Sequence, residues 1–157
     1  PSLSEEEKIL LSTTLESLPK LNQIVGGEEI IAMQKAVRGI VVTPEVANYA
    51  ARLARATRPN SDDAPEFVNQ WVRWGCGPRA GQGLLLAAKS HAGLSGRTEV
   101  TFDDVRKFVH PVMRHRMGLN FAAVSEGQST DDIVDMLVKH VPEVMSAEAS
   151  PKVAVGV

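Results

Sequence analysis

The chain has 157 residues, 43% of them apolar and 23% charged, with a formal net charge of −2 and a pI near 6.1. That length suits one domain or one domain plus tails, and the balance argues against a strongly basic nucleic-acid binder. No apolar run approaches the roughly 18–20 residues of a membrane span. The longest, Leu84 to Ala88, fits a buried helix. The single cysteine, Cys76, excludes an intramolecular disulfide and any multi-cysteine metal site. The start, Pro1 to Lys8, is acidic and lacks the basic and apolar regions of a signal peptide. These features together point to the cytoplasm. With no initiating methionine, the chain is expected to be a piece excised from a longer protein.

The pattern along the chain is helices with punctuation. Ser4 is placed to cap a helix whose first turn holds Glu5, Glu6 and Glu7, favourable at the positive dipole end. Leu11, Leu15 and Leu18 follow at helical spacing, and Pro19 is expected to stop it. A second helix starts near Glu28, with Ile30, Met33 and Val37 on one face and Gly39 after its end. Ile40-Val41-Val42 reads as a short strand. Thr43-Pro44-Glu45 is a strong helix start, a capping hydroxyl followed by proline at the first helical position. Val46, Tyr49, Ala50, Leu53 and Ala54 form that helix's apolar face, and Arg52, Arg55 and Arg58 follow another stripe.

Pro59 to Pro65 is a polar loop. Glu66 to Trp74 suggests a short helix carrying Phe67, Trp71 and Trp74. Those two tryptophans fit either a core or an exposed patch. Pro78 opens the next helix, expected to run to about Ser95 and end at Gly96. Glu99-Val100 is extended. Thr101 and Asp104 have capping-box spacing, and Pro111 should bend or split the helix that follows. Gly118 to Gln128 reads as irregular. Ser129 or Thr130 caps a last helix with Ile133, Met136, Leu137 and Val141 inward. Ser146 to Val157 is weakly patterned and expected to be disordered. The fold class is therefore all-α, a compact bundle of about six helices with at most very short strands.

The chemistry of an autonomous nucleotide hydrolase is missing. No GxxxxGK[ST] phosphate loop occurs, and no apolar strand ends in Asp-Glu. Gly75-Cys76-Gly77-Pro78-Arg79-Ala80 matches GxGxxA, but no strand precedes it in a βαβ unit, and Pro78 is better explained as a helix start. His110 and His115, five apart, do not share a helix face for a metal. Cys76 is better read as a small packed residue than as a nucleophile.

Arg79 is the residue to explain. It falls in the first turn of a helix, where unpaired amides and the positive dipole end suit an anion. A guanidinium there can fork onto phosphate oxygens. A cation at this end is locally unfavourable by ~0.3–1 kcal/mol. Pattern alone leaves two readings open: a surface arginine paired with a nearby acid, or a cation kept for an anion from elsewhere.

Gly75 to Lys89 resembles the GASPRA-xxxLLxAAxA stretch of MoxR-family AAA+ ATPases, and its surroundings resemble that family in order. Ser4-Glu5-Glu6-Glu7 is similar to the family's P-S-x-E-E-E, and Val41 to Val46 to its entry to the lid. Leu53 to Arg58 resembles LVRATR, and Gly96 to Val105 resembles GRxYVTPDDV. Pro111 to Arg116 resembles PVLRHR, and Glu126 to Ile133 resembles EGxTxDEVI. The match covers about residues 4–142. Gly77 stands where the family usually has serine, and the Asn60–Trp74 segment is longer than the loop expected there.

This resemblance implies an AAA+ lid. Residues 1–39 would connect from an αβ core, 40–145 would form the lid-like helical domain, and 146–157 a tail. Arg79, with Gly77 and Pro78 beside it, would be the sensor-2 arginine that reaches the γ-phosphate of ATP. ATP and magnesium would be held by the core domain. The resemblance further implies a homo-oligomeric ring, a hexamer, acting on a client protein as a chaperone. The competing reading is a helical interaction or nucleic-acid module using the basic region Arg106, Lys107, Arg114 and Arg116, although the acidic net charge argues against nucleic acid.

Overall fold

A computed structural model describes residues 1–15, 20 and 22–144. Among them run α1 (Leu3–Thr13), α2 (Gly27–Gly39), α3 (Pro44–Ala56), α4 (Glu66–Trp71), β1 (Val72–Trp74), α5 (Pro78–Leu94), α6 (Phe102–Lys107), α7 (Val109–Met113), β2 (Gly118–Leu119), α8 (Phe121–Ser125) and α9 (Thr130–His140). The chain divides into two units, Pro1–Ala32 and Met33–Val157.

In the first unit, α1 is capped by Ser2 rather than Ser4. Ser2 wins because it forms a reciprocal box with Glu5, whose carboxylate accepts from the Ser2 amide at 2.7 Å. Leu11 and Leu15, which follow at helical spacing, are exposed. Leu18 and Pro19 lie outside the described residues, as does the tail from Ser146.

The second unit is organised around α5. Its buried positions, Ala80, Leu84, Ala88 and Ala92, recur every four residues and form one stripe. Three of the four are alanine, which lets neighbouring helices approach closely. α3 buries Val46, Tyr49, Ala50, Leu53 and Ala54, the face expected from the sequence, together with Ala56. α9 adds Ile133, Val134 and Leu137. The rings of Tyr49 and Phe102 meet edge to face with centroids 5.5 Å apart, tying α3 to α6. Each large side chain so buried contributes about 1.5–3 kcal/mol.

Local chemistry sets most of the boundaries. Thr43 caps α3 through its hydroxyl, with Pro44 at the first position. Ser129 caps α9 in a box with Asp132, and hydrogen bonds from Ser129 hold the Asp132 carboxyl below the usual carboxylate range. After α5, Gly96 takes φ +71°, the left-handed turn that stops the helix where glycine costs least. The helix holding Pro111 is split, as its proline demands, with the break at Phe108 between α6 and α7. Pro111 then sits at the third position of α7, where its missing N–H removes no helical bond.

Three expectations need correction. Residues 72–74 leave the helix and pair antiparallel with Gly118–Leu119. The segment from Gly118 to Gln128 is therefore not irregular: it holds β2 and then α8, capped by Asn120, whose Oδ1 accepts from Ala123 N at 3.0 Å. The strand expected at residues 40–42 is reduced to one parallel bridge, Val41 to Glu99.

Candidate functional site

The turn into α5 is held against the end of α3 from three directions. At Gly75 the chain passes so close to the backbone carbonyl of Thr57 that a Cβ would collide with it. Only glycine permits that approach. Thr57, fully buried at the C-cap of α3, donates through Oγ1 to the Ala54 carbonyl at 2.7 Å and accepts from the Cys76 amide at 2.7 Å. Arg58 Nε donates to the Cys76 carbonyl at 2.8 Å. Both backbone polar groups of Cys76 are thus fixed, three residues before Arg79 and just ahead of the start of α5. The Cys76 thiol is buried, and burial pushes its pKa up, so it remains a thiol and serves packing.

Gly77 is the N-cap, in extended backbone with φ −82° and ψ 179°, and no side chain caps the helix. Pro78 brings no N–H. Ala80 is buried and its N–H reaches back to the Gly77 carbonyl at 3.0 Å. Between them Arg79 is exposed. Among the described residues, no carboxylate or carbonyl accepts from its guanidinium. Beside this helix start lies a groove of ≈ 360 Å³ between α3 and α5, floored by Ala47, Ala50, Ala54 and Gly81 and edged by Arg58 and Pro78.

The other arginines behave differently. Arg52 donates to Asn48 and to the Glu143 carbonyl, Arg55 pairs with Asp63 at 2.6 Å, and Arg58 holds Cys76. In the basic region after α5, Arg106 pairs with Asp103 and Glu143, and Arg114 with Asp131 at 3.1 Å. Arg116 donates to the Val112 carbonyl at 2.9 Å. His110 lies between Asp131 and Asp135. Arg106, Arg114 and Arg116 are thus engaged in intradomain contacts, which disfavours a phosphate-tracking surface there. No group of three or more metal-ligating side chains capable of holding an ion occurs among the described residues.

The far end of α5 carries a polar cluster that sequence reading missed apart from the Thr101–Asp104 box. Asp104 is 2% exposed. Arg97 forks onto both of its oxygens at 2.7 and 2.6 Å. The Thr101 amide and hydroxyl reach it at 2.8 and 2.9 Å. His91 Nδ1 completes the set at 2.7 Å. Arg97 above all, with the Thr101 and His91 hydrogen bonds, holds this carboxyl far below the usual range despite the opposing cost of burial. Thr57 and Arg58 were missed likewise as positioning residues. Their signal, a threonine and an arginine at a helix end, has meaning only once the Gly75 crossing is known.

Comparison with known proteins places this architecture. Residues 64–137 match the AAA lid domain family. The chain is 28% identical over 141 residues to Chaperone MoxR1 of Mycobacterium tuberculosis, a match covering 90% of this chain and 37% of that protein. A crystal structure of a candidate ATPase from Cytophaga hutchinsonii superposes with a TM-score of 0.72 at 21% identity, covering 90% of this chain and 43% of that one. The mostly helical fold is consistent with an AAA lid domain. These likenesses support a MoxR-family AAA+ lid region, and the chain spans little more than a third of the length of the curated relative it matches.

Proposed function

We propose that Arg79 is the sensor-2 arginine of this lid, and that in the whole protein it reads the γ-phosphate of ATP bound on an αβ core. One observation carries the reading: the turn preceding Arg79 is held by hydrogen bonds, yet its guanidinium is exposed and has no partner among the described residues. ATP would supply the charged γ-phosphate, with magnesium on the core. Gly77 and Pro78 present the helix end, and Arg79 adds forked donors to an environment already favourable to an anion. A cation at this position also stabilises charge developing during phosphoryl transfer.

In this proposal residues 1–39 connect to the core and residues 40–145 move as the lid, in a hinge-type closure. The whole protein would form a homo-oligomeric ring in the cytoplasm, a hexamer by family resemblance, and act as a chaperone on a client protein. The 157-residue chain alone should not hydrolyse ATP. Robust turnover by a pure sample, abolished by substitution within it, would overturn the assignment. In a protein carrying both core and lid, Arg79→Ala should lower ATP turnover or nucleotide-dependent assembly by about tenfold or more. Wild-type values for both would refute it.

A further inference from the structure

We propose that Arg58 is a second phosphate-binding residue, whose Nη groups take the α- and β-phosphates of the nucleotide that Arg79 meets at its γ-phosphate. The inference rests on the sensor-2 reading of Arg79 and extends it to the end of another helix. Arg58 follows the C-cap of α3. Its Nε donates to the Cys76 carbonyl at 2.8 Å, which ties the guanidinium to the turn that opens α5. A guanidinium carries five N–H donors, and this bond uses one. Among the described residues neither Nη of Arg58 meets an acceptor, and no carboxylate lies within ion-pair distance of it. No buried side-chain nitrogen or oxygen among those residues lacks a partner, so the unused Nη groups open to the surface.

Arg55, one turn earlier, edges the same groove but is spent on Asp63. Arg58 is instead like Arg79, a guanidinium whose fork is left over. The two bracket Gly77 and Pro78. Arg58 is bound to the carbonyl just before Gly77, and Arg79 follows Pro78. Arg58 and Pro78 edge one groove of ≈ 360 Å³, whose floor is alanine and glycine. The first turn of α5 has no acidic residue, and none occurs from Gly75 to Lys89. Two uncompensated guanidiniums held on one turn suit a ligand with several adjacent negative charges better than a single anion.

With the γ-phosphate on Arg79, the remaining charges of that ligand are its α- and β-phosphates, which ATP and ADP share. The two arginines then divide the work. A contact made equally to ATP and ADP adds affinity for both and cannot shift the balance between their conformations, whereas a contact to the γ-phosphate can. Arg58 holds the nucleotide, and Arg79 distinguishes its state.

The test uses a protein carrying both core and lid, with dissociation constants for ATP and ADP measured by calorimetry. In R58Q the glutamine keeps an N–H donor where the arginine has Nε, so the tie to Cys76 can persist while the charged fork is lost. R58Q should weaken ATP and ADP binding alike, by about tenfold, the effect of losing a charge-assisted hydrogen bond. R79A should weaken ATP and spare ADP. Unchanged ADP affinity in folded R58Q would overturn the assignment, as would a loss confined to ATP. Unchanged ATP affinity in R79A would count against the sensor-2 reading alone. Should R58Q not fold, phenylglyoxal modification of the wild-type protein, followed by mass spectrometry, takes its place. ADP should slow modification of Arg58 about tenfold and leave Arg79 reactive. Equal reactivity of Arg58 with and without ADP would overturn the proposal.

Discussion

The two ends of α5 contrast in how they treat charge. At the C-terminal end a buried carboxylate receives an arginine fork, a histidine, an amide and a hydroxyl. At the N-terminal end the helix has no side-chain cap, and Arg79 sits exposed where the dipole disfavours a cation. One end is arranged for stability. The other keeps a charge in an awkward place on a well-fixed turn, which fits the proposal that its partner lies on another domain. Substitutions at the two ends should therefore separate stability from function.

The largest effect is expected at the turn that supports the open end. Gly75→Ala places a methyl against the Thr57 backbone, which has no flexible group to give way. Urea unfolding should show a loss of about 3 kcal/mol, at the upper end for overpacking. A loss below ~1 kcal/mol would mean that the crossing is not as tight as described.

Next comes the closed end. Asp104→Asn leaves Arg97 and His91 without their carboxylate and should cost about 2–3 kcal/mol, less than a fully buried pair because Arg97 is part-exposed. The pH dependence has a definite sign. The carboxyl is depressed in the folded state, so its contribution is complete above the ordinary carboxylate value of about 4 and is lost as pH falls below it. The stability gap between wild type and Asp104→Asn should be constant from neutrality to about pH 4 and close below that. A gap that persists unchanged to pH 2 would show that the carboxylate's charge is not what matters.

How far these ends could be read from sequence depends on the distance over which their partners lie. The start of α5 at Pro78, the stop at Gly96 and the Thr101–Asp104 box each rest on residues within a few positions of one another, and all were legible. The His91–Asp104 contact spans 13 residues, and the Thr57–Cys76 contact 19. Neither leaves a periodic trace. β1 was taken for helix because its partner, β2, lies some 45 residues on, and a three-residue strand has too little alternation to reveal itself. Arg79 was legible as an oddity, but its exposure and lack of an internal partner needed the fold.

A smaller effect should follow at the hydroxyl that bridges α3 to the turn. Thr57→Val keeps the shape but leaves the buried Cys76 amide without its acceptor, at a cost of about 1–3 kcal/mol in unfolding measurements. In a protein with the core present, nucleotide response should weaken along with it, since the same hydrogen bond sets where Arg79 begins.

The smallest effect on stability is expected at Arg79 itself. Among the described residues its guanidinium has no partner to lose, and the helix end it occupies disfavours its charge. Arg79→Ala should thus leave the unfolding free energy of the lid unchanged or raise it by up to about 0.5 kcal/mol, through relief of the dipole clash and a better helix former. Thermal and urea unfolding of the 157-residue chain measure this directly. A loss above ~1 kcal/mol would reveal an internal partner and return Arg79 to an ordinary structural role. A silent substitution in the isolated lid, combined with impaired nucleotide response in the protein with its core, is the pattern that a sensor held for another domain requires.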